Sequence, residues 1–271
     1  MNDEVKSLIN KAVENILKKM GGRGAIAKFN RKHEKKVHFI PKSYRVFGGI
    51  LQSMNIQFGN FIEELMSLLI EGENDCEIVA EYSGKKSNSF TLSRANNALI
   101  DRYINECQAQ QDGYCVEAFP ELLAQILVDK SNEQDTFKHD IDLLFKHKTT
   151  NTYYYVEVKY NDDHDTGKFV DINRKFIKTY AYLAKELRIV DASILTPVLF
   201  YFNNKRMKGN LYVPEKTNIR RGKAFFEEFL SKVDYADLDN YMTNLSESAE
   251  VKKMFDDLYE KVVKHNVNST T

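Results

Sequence analysis

Two short β-rich runs with a polar hexapeptide between them constrain this chain more than any other feature. Residues 141–145 (IDLLF) and 153–158 (YYYVEV) flank KHKTTN, and strand formers on either side of such a stretch are the signal of a β-hairpin. A third run, 194–202, is apolar throughout, which suits a strand buried on both faces near the centre of a sheet. Around these runs the periodicity is helical. Val5, Leu8, Ile9, Val13, Ile16, Leu17 and Met20 form one stripe that ends at Gly21-Gly22. Phe58, Phe61, Ile62, Leu65, Met66 and Leu69 form a second, stopped at Gly72. Further helices are expected over 92–104, 120–128 and 170–187, and again from Phe225 onward, with a loop at 83–89. Helices, a hairpin, a helix, a strand and then helices describe a mixed α/β (α+β) fold.

Charge is balanced in total, 39 basic against 39 acidic residues, so a polyanion partner cannot be read from the sum. The distribution is uneven. Between 28 and 45 there are seven Lys or Arg against the single acid Glu34, and a second basic stretch runs over 205–223. Such stretches on a neutral protein are commonly solvated surface as well as candidate phosphate contacts. Cys76, Cys107 and Cys115 have neither the number nor the spacing of a disulfide framework or a zinc site. The polar, acidic N-terminus is unlike a secretory signal, and no apolar run approaches the ~18 residues that span a bilayer. The expectation is a reduced, cytoplasmic protein with no membrane association. Without repeats or a linker, the 271 residues read as a single domain: a helix and basic segment over 1–40, a core over 41–235 and a helical section over 236–271.

Alternate side chains of a strand share a face, so Glu157 and Lys159 project together. Asp140 and Asp142 share a face on the first strand in the same way. A turn centred on Thr149-Thr150 sets Asp142 opposite Glu157, where Cβ atoms lie roughly 4.5–5.5 Å apart. Carboxylates that close repel one another unless a positive charge intervenes. A hard divalent cation such as Mg²⁺, bound by oxygen, meets that need, and Lys159 is one strand step away. Together these are the parts that phosphodiester hydrolysis requires: a metal for the water and the phosphoryl oxygens, and a cation for the developing charge. An amphipathic hairpin with solvent-facing charges is the plainer reading of the same residues.

Asp142 with Leu143-Leu144-Phe145, followed by Val156-Glu157-Val158-Lys159, resembles the PD-(D/E)XK nuclease motif. The run Tyr160 to Lys168, with Ile40-Pro41 to Arg45 and Gly59 with Glu63, resembles type II restriction endonucleases of that superfamily, and within them the TdeIII-like group. The proline that precedes the first acid in the motif is absent. The resemblance implies a restriction-endonuclease-like core, a central mixed sheet flanked by helices, with extra N- and C-terminal helices. It implies that Asp142 and Glu157 hold the metal, that Lys159 positions or activates water, and that Glu63 is an additional acid. Asp140 and Glu64 stand as alternatives to Asp142 and Glu63.

A type II restriction endonuclease cutting double-stranded DNA with Mg²⁺ is the resulting expectation, as a homodimer with a companion DNA methyltransferase acting on the same site. The rivals are a structure-specific or repair nuclease of the same fold and a non-catalytic DNA-binding protein. The segment NDDHDTGK does not meet calcium-loop spacing. It reads instead as a DNA-facing loop in which Asp163, His164 and Asp165 reach base edges and Lys168 a phosphate. His164 can also be read as a ligand, a general base or an ordinary loop residue. Arg45, Arg220 and Arg221, with Lys205 and Arg206, are candidate phosphate clamps. Tyr153, Tyr154 and Tyr155 could stack on bases, although strand aromatics more commonly pack within the protein.

Overall fold

The computed structural model describes residues 1–86, 89–110, 113–129, 131, 134–163 and 165–267. In chain order the elements are α1 (Asp3–Met20), α2 (Arg23–His33), α3 (Lys42–Glu71), β1 (Cys76–Ile78), β2 (Ser89–Ser93), α4 (Arg94–Gln110) and α5 (Tyr114–Val128). Then follow β3 (Gln134–Lys138), β4 (Leu143–His147), β5 (Thr152–Lys159), α6 (Thr166–Glu186), β6 (Leu195–Tyr201), α7 (Glu215–Asn218), β7 (Ile219–Arg221), α8 (Gly222–Phe229), α9 (Tyr235–Ser246) and α10 (Ala249–Val267). They divide into two compact units, one of Met1–Phe61 with Lys232–Thr271 and the other of Ile62–Ser231, so the boundary falls inside α3.

The first unit is all helical. The apolar stripe of α1 ends where Gly21 donates its N–H to the Leu17 carbonyl, and Asn2 caps the start by accepting from Val5. Leu17, Met20, Ile26, Val46, Ile50, Met54, Leu258 and Val262 form its core. Part of the basic stretch that carries no apolar period is α2, and α3 begins some sixteen residues before the stripe that announced it.

The second unit is built on a five-stranded mixed sheet in the order β1-β4-β5-β6-β7. Neighbours β1·β4 and β4·β5 are antiparallel, while β5·β6 and β6·β7 are parallel. This is the expected central mixed sheet flanked by helices. The hairpin forms as the sequence indicates, with Leu143 paired to Val156 and Phe145 to Tyr154. That register, continued by one residue, sets Asp142 opposite Glu157. The run 194–202 becomes β6, interior to the sheet. A separate antiparallel pair joins β2 and β3.

Both faces of the hairpin's second strand are covered. On one, Leu144, Tyr155, Leu195, Leu199 and Tyr201 pack in a core with Phe176, Ile177 and Tyr180 of α6 and with residues of α4 and α5. On the other, Phe145 stacks on Tyr154 at 5.3 Å and both meet Phe229 of α8, while Phe200 meets Phe225 at 4.3 Å. The three tyrosines of β5 are therefore packing residues in this fold. Cys76, Cys107 and Cys115 are buried thiols with no disulfide. Among the described residues no helix is long and apolar enough to cross a membrane.

Candidate active site

Asp142, Glu157 and Lys159 converge at one end of the hairpin. Asp142 stands just before β4, where its Oδ2 accepts the Val158 backbone N–H at 2.8 Å, so the carboxylate substitutes for a strand pairing that ends there. Glu157 and Lys159 point from β5 to the same face. The Lys159 ammonium lies 3.2 Å from Asp142 Oδ2 and 2.7 Å from Glu157 Oε1, and it also donates to the Val158 carbonyl at 2.8 Å. All three are withdrawn from solvent, with Glu157 only 3% exposed.

Burial and charge act differently on the two acids. Burial and the neighbouring Glu157 charge push Asp142 up to about 7, against the opposing pull of Lys159. Burial also acts to raise Glu157, but Lys159 and His139 outweigh it and hold that carboxyl well below its ordinary value. Burial opposes the charge on Lys159 as well, yet Asp142 and Glu157 keep the ammonium protonated far beyond its usual range. The cluster thus holds one settled carboxylate, one under like-charge repulsion and one fixed cation.

Two groups that the sequence did not mark for this role support Glu157. The Tyr155 hydroxyl, two residues earlier on β5, donates to Oε2 at 3.0 Å. His139 Nε2 stands 3.6 Å from Oε1, and its Nδ1 lies 3.3 Å from the Thr179 hydroxyl of α6. Burial works against the imidazolium, but Glu157 and Asp142 raise the His139 pKa overall. A lone histidine outside any spacing motif gives no sequence signal for such a role.

Between the alternatives, Glu63 is half-buried, bonded to Lys85 at 3.0 Å, and its charge bears on both Asp142 and Lys159, while Glu64 faces solvent. Asp140 turns to the 83–86 segment, where its Oδ1 accepts the Lys86 N–H at 3.1 Å. Among the described residues no group of three or more His, Cys, Asp or Glu forms a ready chelating set. Two carboxylates suffice for Mg²⁺, which keeps much of its hydration and shares substrate oxygens, and the repulsion on Asp142 is what a bound divalent cation relieves. The donor set fits.

The polar segment after β5 is partly internal. Asp162 is fully buried and accepts backbone N–H groups from Met207 at 3.0 Å, Lys208 at 3.2 Å and Gly209 at 3.0 Å, while Arg221 meets its Oδ2 at 3.0 Å. Asp163 is paired to Lys208 at 3.4 Å. Asp165 caps α6 by accepting the Lys168 N–H at 2.9 Å. The side chain of Lys168 is exposed. His164 lies outside the described residues. Arg221 is further engaged by Glu215 at 2.5 Å and lies over the Tyr201 ring, and Arg220 is paired with Glu228. Arg45, in the first unit, donates to the Lys36 carbonyl at 3.3 Å.

A mixed sheet carrying two acids and a lysine at the end of a buried hairpin is the arrangement that the resemblance to type II restriction endonucleases implies. Residues 1–246 match the family model described as HinfI, type II restriction endonuclease. The type II restriction enzyme HinfI of Haemophilus influenzae is 56% identical over 263 residues, covering 97% of this chain and 99% of that enzyme. No solved structure matches. The chain belongs to the HinfI family of type II restriction endonucleases and is a site-specific DNA endonuclease. Since the matched family is HinfI, the narrower likeness to the TdeIII-like group adds nothing further.

Proposed function

We propose that this enzyme hydrolyses one phosphodiester in each strand of a short duplex site with Mg²⁺, that Asp142 and Glu157 hold the metal, and that Lys159 is the catalytic cation. The observation that carries the reading is the Lys159 ammonium set between the Asp142 and Glu157 carboxylates at 3.2 and 2.7 Å. When bound, the metal supplies charge neutralisation on the phosphoryl oxygens and a lowered pKa for its water. Lys159, which keeps its proton, orients the attacking water and stabilises charge on the phosphate rather than serving as a base. Tyr155 and His139 hold Glu157 in place, and Glu63 adds negative potential beside Asp142.

For duplex contact, the exposed side chain of Lys168, in the first turn of α6, is the best placed of the candidates after β5, with Asp163, His164 and Asp165 preceding it in the sequence. Arg221 is committed to the buried Asp162 and to Glu215, and Arg220 is paired with Glu228, so we assign both to holding the fold and not to phosphate. Cutting both strands of a near-palindromic site calls for two-fold symmetry, hence a homodimer. In the cytoplasm such an activity requires a companion methyltransferase that protects the host's own sites.

Digestion of a sequenced plasmid with Mg²⁺, followed by mapping of the ends, tests the proposal. Discrete fragments with one common end sequence support it. A smear would favour a structure-specific nuclease, and duplex binding without cleavage would favour a pure binder. Lys159→Ala should retain duplex binding and lose cleavage; unchanged cleavage would remove Lys159 from the mechanism.

A further inference from the structure

We infer that the segment 34–41, between α2 and α3, is a DNA-engaging wedge in which Val37 and Phe39 press into the duplex and the flanking lysines contact phosphates. Every residue from 34 to 41 is exposed. Val37 is wholly exposed and Phe39 is 92% exposed, the two most exposed large apolar side chains among the described residues. The segment nonetheless has a defined shape. His38 Nδ1 accepts the Ile40 N–H at 2.9 Å, the His38 and Phe39 rings stack at 5.1 Å, and Arg45 holds the Lys36 carbonyl at 3.3 Å. Lys35 adopts φ 59°, a left-handed conformation that turns the chain out of α2.

Two large apolar groups held in water call for a cover, and charge decides which. Arg31, Lys32, Lys35, Lys36 and Lys42 surround them, with Glu34 the single acid. A second copy laid on this segment would set two positive strips against each other, whereas a duplex presents phosphates to the lysines and stacked bases and sugars to the apolar groups. Apolar side chains pressed between base steps from a basic surround are an established way of binding the minor groove. The inference rests on duplex DNA being the substrate and adds the element that engages it.

Full-length Val37→Ser/Phe39→Ser and Lys35→Gln/Lys36→Gln variants test this against a short duplex carrying the mapped cleavage site, without divalent metal. Binding is read by anisotropy across salt concentrations, base unstacking by 2-aminopurine placed along the duplex, and mass by sedimentation. The apolar variant should bind about tenfold more weakly, lose the 2-aminopurine signal of the wild type, and keep the wild-type mass. The lysine variant should flatten the salt dependence by about one unit of slope per lysine. Unchanged affinity in the apolar variant overturns the inference. So does a fall in its mass, which would make the segment a contact between copies. Cleavage of a long plasmid by either variant, measured in parallel, separates failure of this element from failure of the nuclease assignment.

Discussion

The Tyr155 hydroxyl donates to Glu157 Oε2 at 3.0 Å across a single turn of the strand's alternation. Both residues are buried, so the bond restrains the Glu157 carboxylate from within its own strand. Tyr155→Phe removes that restraint and leaves the ring packing with Phe176 intact. Stability should fall by about 1 kcal/mol, and kcat should fall while the duplex Kd stays constant. A variant with wild-type kcat would show that Lys159 and His139 position Glu157 without help.

Burial and the Glu157 charge both disfavour the Asp142 carboxylate, and that is a cost to the metal-free fold. Asp142→Asn should therefore raise the melting temperature of the metal-free protein, by roughly 1 kcal/mol of stability, while abolishing cleavage. Mg²⁺ should raise the wild-type melting temperature and leave that of the variant unchanged. Melting curves with and without Mg²⁺ check both statements, and an equal shift in the two proteins would place the metal elsewhere.

Asp162 holds three backbone N–H groups and the Arg221 guanidinium. Asp162→Ala leaves them without an acceptor, and should cost about 3–5 kcal/mol. Burial alone would raise this carboxyl, but the N–H donors and Arg221 bring it below its ordinary value. A lowered folded-state pKa gives stability that is complete above the unfolded carboxylate value of about 4 and is lost as pH falls through the folded value. The stability gap between wild type and Asp162→Asn should accordingly narrow below pH ~4, as denaturation at a series of pH values would reveal. A gap independent of pH would argue against the ion pair.

Phe229 meets both Phe145 and Tyr154 on the face of the sheet opposite the acids, at 5.3 and 4.8 Å. Phe229→Ala should cost about 3–5 kcal/mol yet leave specific activity per folded molecule unchanged at low temperature. Parallel denaturation and active-site titration would separate the two effects.

The reading of the hairpin from sequence succeeded because a period of two, with a polar turn at its centre, admits few registers. The same alternation fixed the common side of Glu157 and Lys159. Four strands stayed hidden for the opposite reason, among them Ser89–Ser93, a five-residue run that overlaps the loop expected over 83–89 and the helix expected from 92. Cys76–Ile78 and Ile219–Arg221 are three residues each, and Gln134–Lys138 is mostly polar, so none carries a period long enough to read. Helix α2 was masked by its lysines and arginines, which carry no apolar stripe. The ion pairs of Arg220 and Arg221 could not be read either, because their acids, Glu228, Glu215 and Asp162, are brought to them by folding and not by any sequence spacing. The first aspartate of NDDHDTGK was likewise unreadable as a buried anchor, since its partners arrive from a loop forty-odd residues on.

Asp142, Tyr155, Glu157 and Lys159 all belong to one hairpin, closed by a short turn. Bringing them together needs only a local loop closure, which is rapid and entropically cheap compared with joining distant segments. These side chains are thus gathered as soon as two neighbouring strands zip, whereas Glu63 and the Asp162–Arg221 anchor wait on long-range closure. During synthesis these contacts can form before β6 and β7, the parallel half of the sheet, have been made.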